Sequence, residues 1–308
     1  MRALHPILTA CTSLCLLPTL LAQDSVWNLD VTPGSHTWMK TAVPIASGGA
    51  VAVRQSPWST EPPTLEVLNA SGHIAQSITP SGGLWGPTFR GATDGFGGAY
   101  IDATEYLGSV GGTSLGGGDA VVFRLDGAGQ LLWTRRFGGD GTDSGLGVLE
   151  DGAGGFYLVG NTNSGNFGSA SPSPQDGYLA HVDSTGMVSW VRRLNPGTDF
   201  GVLTAIAHDG QGGLLVGGSF DDHSGFLVIP RGFVAGFDTQ GIQQWHHSIH
   251  SSGGSVAAVQ PRSGGYVELA HSPYGGYQCT GRDNAGLAQW SMTLGSSSSL
   301  HTTPYDRG

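Results

Sequence analysis

Four segments of the chain repeat one frame, in which Asp is followed three residues later by Gly and four after that by Trp. The sets are Asp126, Gly129, Trp133; Asp183, Gly186, Trp190; Asp238, Gly241, Trp245; and Asp283, Gly286, Trp290, with a degenerate copy at Asn69, Gly72 and Gln76. The last positions of successive copies stand 57, 57, 55 and 45 residues apart. A Gly-Gly pair keeps step between them, at Gly48-Gly49, Gly97-Gly98, Gly154-Gly155, Gly212-Gly213 and Gly264-Gly265. Three of these pairs follow Asp94, Asp151 or Asp209 in the frame D-G-x-G-G. Two signals in register over five copies mean that one supersecondary unit is repeated.

Each period parses into four short strands, A to D; in the third copy they are GLGVLED, GFYLVGNT, GYLAHVD and MVSWVRRL. Their apolar residues run together rather than alternating, as in strands covered on both faces. Four strands in about 40 to 50 residues is the arithmetic of an all-β β-propeller with four-stranded antiparallel blades. No segment carries a helical period of useful length, which excludes a parallel α/β fold. The 53 glycines among 308 residues then read as turn punctuation, since no G-X-Y period is present and 38% of residues are hydrophobic. Blades are expected at about 37–79, 88–137, 145–194, 202–249 and 255–294.

The motif residues have structural roles in this reading. Gly supplies a positive φ in the C–D hairpin loop, and the Asp before it accepts backbone N–H bonds. The recurring tryptophans are packing anchors between blades. With D outermost, Arg135-Arg136 and Arg192-Arg193 are expected on exposed edges, where charge discourages edge pairing.

The frame D-x-x-G-x-x-x-W, then Gly138-Gly139-Asp140-Gly141-Thr142-Asp143, then D-x-x-G-G-x-Y-x-x-G-x-T from Asp151 to Thr162, resembles the bacterial SBBP β-propeller repeat. Thr162, Ser164 and Phe167 match its T-x-S-x-x-F element. The resemblance covers residues 64–294 and is clearest in 118–221, while Pro261 stands where the fourth copy should have Asp. It implies a secreted or surface repeat protein and no defined activity. The same frame is similar, less closely, to the tryptophan-docking repeat of quinoprotein dehydrogenases and of an outer-membrane assembly lipoprotein.

The N-terminus has the layout of a secretory signal peptide: Arg2, then no charged residue until Asp24, with Ala22 before a cleavage point at Gln23. Residues 1–22 would be removed, leaving no membrane span; Leu8-Thr9-Ala10-Cys11 is a minor, lipobox-like alternative. Cys11 and Cys15 leave with the signal, so a secreted, periplasmic or cell-surface chain keeps only Cys279 and no internal disulfide. With 13 Lys plus Arg against 23 Asp plus Glu, the formal charge of −10 speaks against nucleic acid. Residues 23–36, with Trp27 placed 22 residues before Gly49, read as a lone strand D. Residues 295–308 read as the start of a further blade, so the expectation is five full blades in an incomplete ring, with closure of five blades without a latch as the alternative.

Chemical motifs are few. Gly112 to Gly116 fits G-x-S-x-G but leads into a strand, where a nucleophile elbow needs a helix. Asp140 and Asp143 are weak calcium candidates in G-G-x-G-x-D, a site that needs tandem copies. His246 and His250 share a strand face that His247 opposes, too few ligands for zinc. Lys40 is the only lysine, and no phosphate-binding P-loop is present. The A–B and C–D turns are uniform, whereas the B–C and D–A segments on the opposite face vary in length and chemistry, as recognition loops do. Trp58, Tyr106, Phe167, Asp221, Asp222, His223 and Tyr274 are the ligand-binding candidates there. The functional expectation is a non-catalytic secreted scaffold that binds protein or glycan without a cofactor. The alternative is an extracellular enzyme acting on polysaccharide or using a quinone.

Overall fold

A computed structural model describes residues 38–55, 62–81, 83–168, 175–194, 201–222, 229–249, 254–271, 276–294 and 300–304. Strands β1 (Trp38–Pro44), β2 (Ala50–Gln55), β3 (Thr64–Leu68) and β4 (Ile74–Ile78) form the first sheet. The second holds β5 (Leu84–Thr93), β6 (Ala99–Leu107), β7 (Asp119–Leu125) and β8 (Leu131–Phe137). The third holds β9 (Asp143–Glu150), β10 (Phe156–Thr162), β11 (Asp176–Val182) and β12 (Val188–Leu194). The fourth holds β13 (Gly201–His208), β14 (Leu214–Asp222), β15 (Ile229–Phe237) and β16 (Gln243–Ile249). The fifth runs through β17 (Val256–Arg262), β18 (Gly265–His271), β19 (Tyr277–Asp283), β20 (Ala288–Leu294) and β21 (Leu300–Pro304). Neighbouring strands pair antiparallel in every sheet, and no helix occurs among the described residues.

The first strands of successive sheets lie side by side, β1 by β5, β5 by β9, β9 by β13 and β13 by β17. Sheets stacked through their inner strands are the blades of a β-propeller-class fold. No comparable contact joins β17 to β1 among the described residues. Four apolar clusters fill the spaces between consecutive blades, and each central strand of the second, third and fourth blades serves two of them. On β10, Phe156 and Leu158 face the second blade while Tyr157 and Val159 face the fourth. On β6, Ile101 and Ala103 face the first blade and Tyr100 the third. Burial on both sides is why these strands carry unbroken apolar runs.

The C–D hairpins are built alike. Each motif acid accepts two backbone N–H bonds through Oδ1, from the residues two and four positions on, at 2.8–3.1 Å, whether the acid is Asp126, Asp183, Asp238 or Asp283 or its place is taken by Asn69. A three-residue loop of this kind ends on one residue in the left-handed region. Gly129, Gly186, Gly241 and Gly286 have φ of 81°, 81°, 72° and 79°, and the register shifts one step into each hairpin. The same turn also meets the preceding blade. A Cβ on Gly241 would lie 2.6 Å from the Trp190 ring, and one on Gly186 2.3 Å from the Arg135 side chain.

The tryptophans sit between blades. Trp133 lies 6.1 Å from Tyr100 in its own blade and 6.2 Å from Phe156 in the next, and Trp245 stacks on Tyr266 of the next blade at 5.7 Å. The arginines that follow differ from the expectation of exposed edge charge. Arg135 and Arg192 lie over Trp133 and Trp190, at 6.0 and 5.2 Å, and donate to Thr185 O and Gln240 O in the next blade's turn. Arg136 and Arg193 are buried, with side chains 2% and 5% exposed. Alternation along the strand sends one arginine of each pair to the rim and the other inward. A second difference concerns residues 295–308: β21 adds to the outer edge of β20, pairing Leu294 with Leu300 and Trp290 with Pro304, where a further blade's first strand was expected. The row of unpaired backbone groups on β20 supplies a partner directly. The proposed signal peptide, Cys11, Cys15 and Trp27 lie outside the described residues.

Substituting the motif glycines tests both halves of this account. Gly186→Ala should cost about 1 kcal/mol from the left-handed backbone alone, because the Arg135 side chain can move aside. Gly241→Ala should cost about 2 kcal/mol or more, since a Cβ there also meets the fixed Trp190 ring. Urea unfolding of the two variants measures the difference, and equal losses would contradict the turn-on-blade contact.

Candidate functional site

The irregular face in the second and third blades is built on buried charge. Asp119 opens β7, Glu105 lies directly across the ladder from it near the end of β6, and Arg136 comes near the end of β8. Arg136 donates from Nη1 to Asp119 Oδ2 at 2.7 Å and from Nη2 to Glu105 Oε2 and to Gly108 O. The same carboxylates take up loop amides: Glu105 Oε2 accepts from Val110 N at 3.2 Å, and Asp119 Oδ2 from Leu115 N at 3.1 Å. Both halves of the loop 108–118 are therefore tied to the blade. The third blade repeats the bridge, Arg193 Nε donating to Asp176 Oδ2 at 2.8 Å and Nη1 to Ser164 O at 2.6 Å.

The link 138–142 passes between these two loops and is sewn to both. Gly117 N donates to Gly141 O and Asp143 N to Gly118 O, at 2.6 and 2.7 Å. On the other side Asp140 N donates to Asn166 Oδ1, Gly141 N to Ser164 Oγ and Thr142 N to Asn163 Oδ1, at 2.8, 2.8 and 2.5 Å. Gly165 N returns a bond to Asp140 Oδ1 at 2.6 Å. Asp143, fully buried, accepts from Gly139 N at 2.8 Å and from Ser164 Oγ at 2.6 Å. Burial raises the Asp119 carboxyl above its usual range, helped by the Asp143 charge and opposed by the Leu115 amide. Burial lowers the Arg136 guanidinium. Burial also raises Asp102, on β6, well above the carboxylate range against the pull of Arg90, and raises the Tyr178 phenol.

The four ligand-binding candidates among the described residues fall in three different blades. Phe167 is a correction: it is 5% exposed and meets Tyr178 edge-on at 5.1 Å, because the loop after β10 folds back over the blade and buries its one large apolar side chain. Tyr106 is half-buried, and its ring covers Gly118, where a Cβ would lie 2.6 Å away. Asp221 and Asp222 are the last residues of β14, paired with Pro230 and Ile229, so they belong to the ladder and not to a free loop. Trp58, His223 and Tyr274 lie outside the described residues, as does His250.

Other motifs resolve into local roles. His247 stacks on Trp245 at 4.6 Å and bonds Tyr266 Oη through Nδ1, and burial lowers its pKa, with the His246 charge adding to the effect. Ser114 Oγ bonds Gly116 O and the segment leads into β7, not a helix. Among the described residues no three His, Cys, Asp or Glu side chains group as a metal cage, Asp140 and Asp143 included. Glu105, Asp119 and Asp176 are the residues that motif reading passed over, and Arg136 and Arg193 are those it placed on exposed edges. Their signal was present, since Asp119 and Asp176, like Arg136 and Arg193, are separated by the same 57 residues as the tryptophans.

No family model matches the chain, and no curated protein matches it. Among solved structures it is similar to the WD40 domain of Neurospora crassa Pan2, at 9% identity and a TM-score of 0.47, over 83% of this chain and 72% of that one. It is also similar to Synechocystis apocarotenoid oxygenase, at 13% identity and a TM-score of 0.41, over 86% of this chain; the match spans 60% of the oxygenase. A third is BBS1N, described in complex with ARL6DN, at 12% identity and a TM-score of 0.40, over 87% and 69% of the two chains. No helix among the described residues is long and apolar enough to cross a membrane, which says nothing of β-barrels.

The bridges predict an asymmetry between adjacent arginines. Arg136→Met leaves Glu105 and Asp119 buried without a counter-charge and should cost about 3–5 kcal/mol. Arg135→Met loses one rim contact and should cost under about 1 kcal/mol. Denaturant midpoints measure both, and similar losses would contradict the inward placement of Arg136.

Proposed function

We propose that the chain is a secreted, non-catalytic β-propeller repeat protein of the SBBP type that holds a protein or glycan on its irregular loop face. The observation that carries this reading is the fixing of the loops. Glu105, Asp119, Asp143, Asp176, Arg136 and Arg193 spend hydrogen bonds on loop backbone and on one another. Leu107, at the end of β6, and Leu115, on the loop they hold, are 67% and 49% exposed. Apolar side chains displayed on a loop with fixed backbone suit recognition, because little ordering entropy remains to be lost on binding. The Asp-Gly turns and the leader-like N-terminus support the repeat type and the location.

Paired assays test the class of function. Purified protein should give no turnover above blank with extracellular polysaccharides or in dye-linked alcohol oxidation. It should bind saturably within a panel of immobilised polysaccharides and surface proteins, and Leu107→Asp with Leu115→Asp should abolish that binding while leaving the melting temperature unchanged. Turnover above blank would overturn the reading in favour of an enzyme.

A further inference from the structure

The junction of the second and third blades buries more negative charge than it compensates. Glu105, Asp119 and Asp143 are each fully buried, and the one cation among them is Arg136, whose Nη groups are committed to Glu105, Asp119 and Gly108 O. The next guanidinium, Arg193, is taken by Asp176 and Ser164 O. Asp140 faces Gly165 N and adds no positive charge, and Tyr178 on β11 faces Asp143 as a neutral phenol. Three carboxylates thus share one guanidinium.

Geometry puts two of the three side by side. A Cβ on Gly138 would lie 2.5 Å from Asp119 Oδ1 and 2.8 Å from Asp143 Oδ2, so both carboxylates flank a single glycine. Each has one oxygen fully engaged and one, Oδ1, that accepts no hydrogen bond among the described residues; Glu105 Oε1 is in the same condition. A buried acceptor with no donor costs about 1–3 kcal/mol, more when charged. A proton removes one charge and turns one idle acceptor into a donor to another. No three ligand side chains group among the described residues to hold a metal in its place.

We propose that Asp119 and Asp143 share one proton in the folded protein, and that this proton clamps the segments 108–118, 138–142 and 163–168 together. The inference concerns how these loops are held and stands whatever they bind. Burial and the mutual charge of the pair, which raise Asp119, act in the same direction. A proton bound in the folded state and absent from the unfolded chain stabilises fully below the ordinary carboxylate range, near pH 4. That stabilisation is lost as pH rises through the raised folded value.

Asp143→Asn is the test, because it removes one of the two carboxylate charges and keeps the acceptor for Gly139 N and Ser164 Oγ. At about pH 8 the variant should melt higher than the unaltered protein, by about 3 °C for one unit of pKa shift in a chain of this size. At about pH 3, below the ordinary carboxylate value, the difference should vanish. A difference of the same size at both pH values, or a lower melting temperature at both, would overturn the proposal. So would a rise with millimolar calcium at pH 8 that Asp143→Asn abolishes, since a metal would then be the compensating charge. Asp119→Asn, measured alongside, should show the same pH-dependent sign, and failure of both variants to fold would also contradict it.

Discussion

The contact between each Asp-Gly turn and the outer strand of the blade before it is what the architecture depends on. A four-stranded antiparallel sheet has two apolar faces here and can bury neither alone, so every blade needs a neighbour at a fixed distance and angle. The turn supplies that fix. Its aspartate gathers two backbone N–H groups, its glycine takes a left-handed φ, and the absence of a Cβ lets the Trp190 ring approach Gly241 and the Arg135 side chain approach Gly186. Arg135 and Arg192 then donate across the junction to carbonyls of the next turn. Backbone, ring and guanidinium are locked together where the second blade meets the third and the third meets the fourth, and the Asp-Gly turn common to these junctions is what the sequence repeat records.

At the opposite face the problem is different, because the loops there have unequal lengths and cannot share a turn. Buried Asp–Arg bridges between the ends of strands C and D take over in the second and third blades. A bridge of this kind costs desolvation and gives little net stability, but a broken one is expensive. Its value is geometric: Glu105 and Asp119 each hold a loop amide besides Arg136, so a strand end and the loop leaving it are positioned by one group. The first and fifth blades carry bridges elsewhere, Arg54 to Glu66 and Arg282 to Glu268, between neighbouring strands.

The blades were legible in the sequence because four of the five copies solve the same packing problem with the same residues, so Asp183, Gly186 and Trp190 are informative as a repeated set. The positive φ of the motif glycines followed from turn chemistry alone. The loop face was less legible. Phe167 reads as an exposed loop aromatic until Tyr178, from the following strand, is seen to cover it. Arg136 reads as an edge charge if strand D is taken as uniformly solvated, whereas the pleat turns it inward. Asp119 and Asp143 belong to different blades and meet only around Gly138, a proximity that no local spacing announces. The 57-residue period did mark Asp119 with Arg136 and Asp176 with Arg193, but as a repeat of position and not as a bridge.

The central claim is that each blade's outer strand holds the following blade's turn, and hydrogen exchange of Trp190→Ala addresses it most directly. Trp190 belongs to the third blade and its ring covers Gly241 in the fourth. The amides of Gln240 and Ile242, which donate to Asp238, should lose protection in the variant, while those of Thr185 and Met187 in the third blade's own turn should keep theirs. Loss of protection in the third blade's turn with the fourth unaffected would show that the tryptophan serves its own blade, and the account of blade coupling would fail.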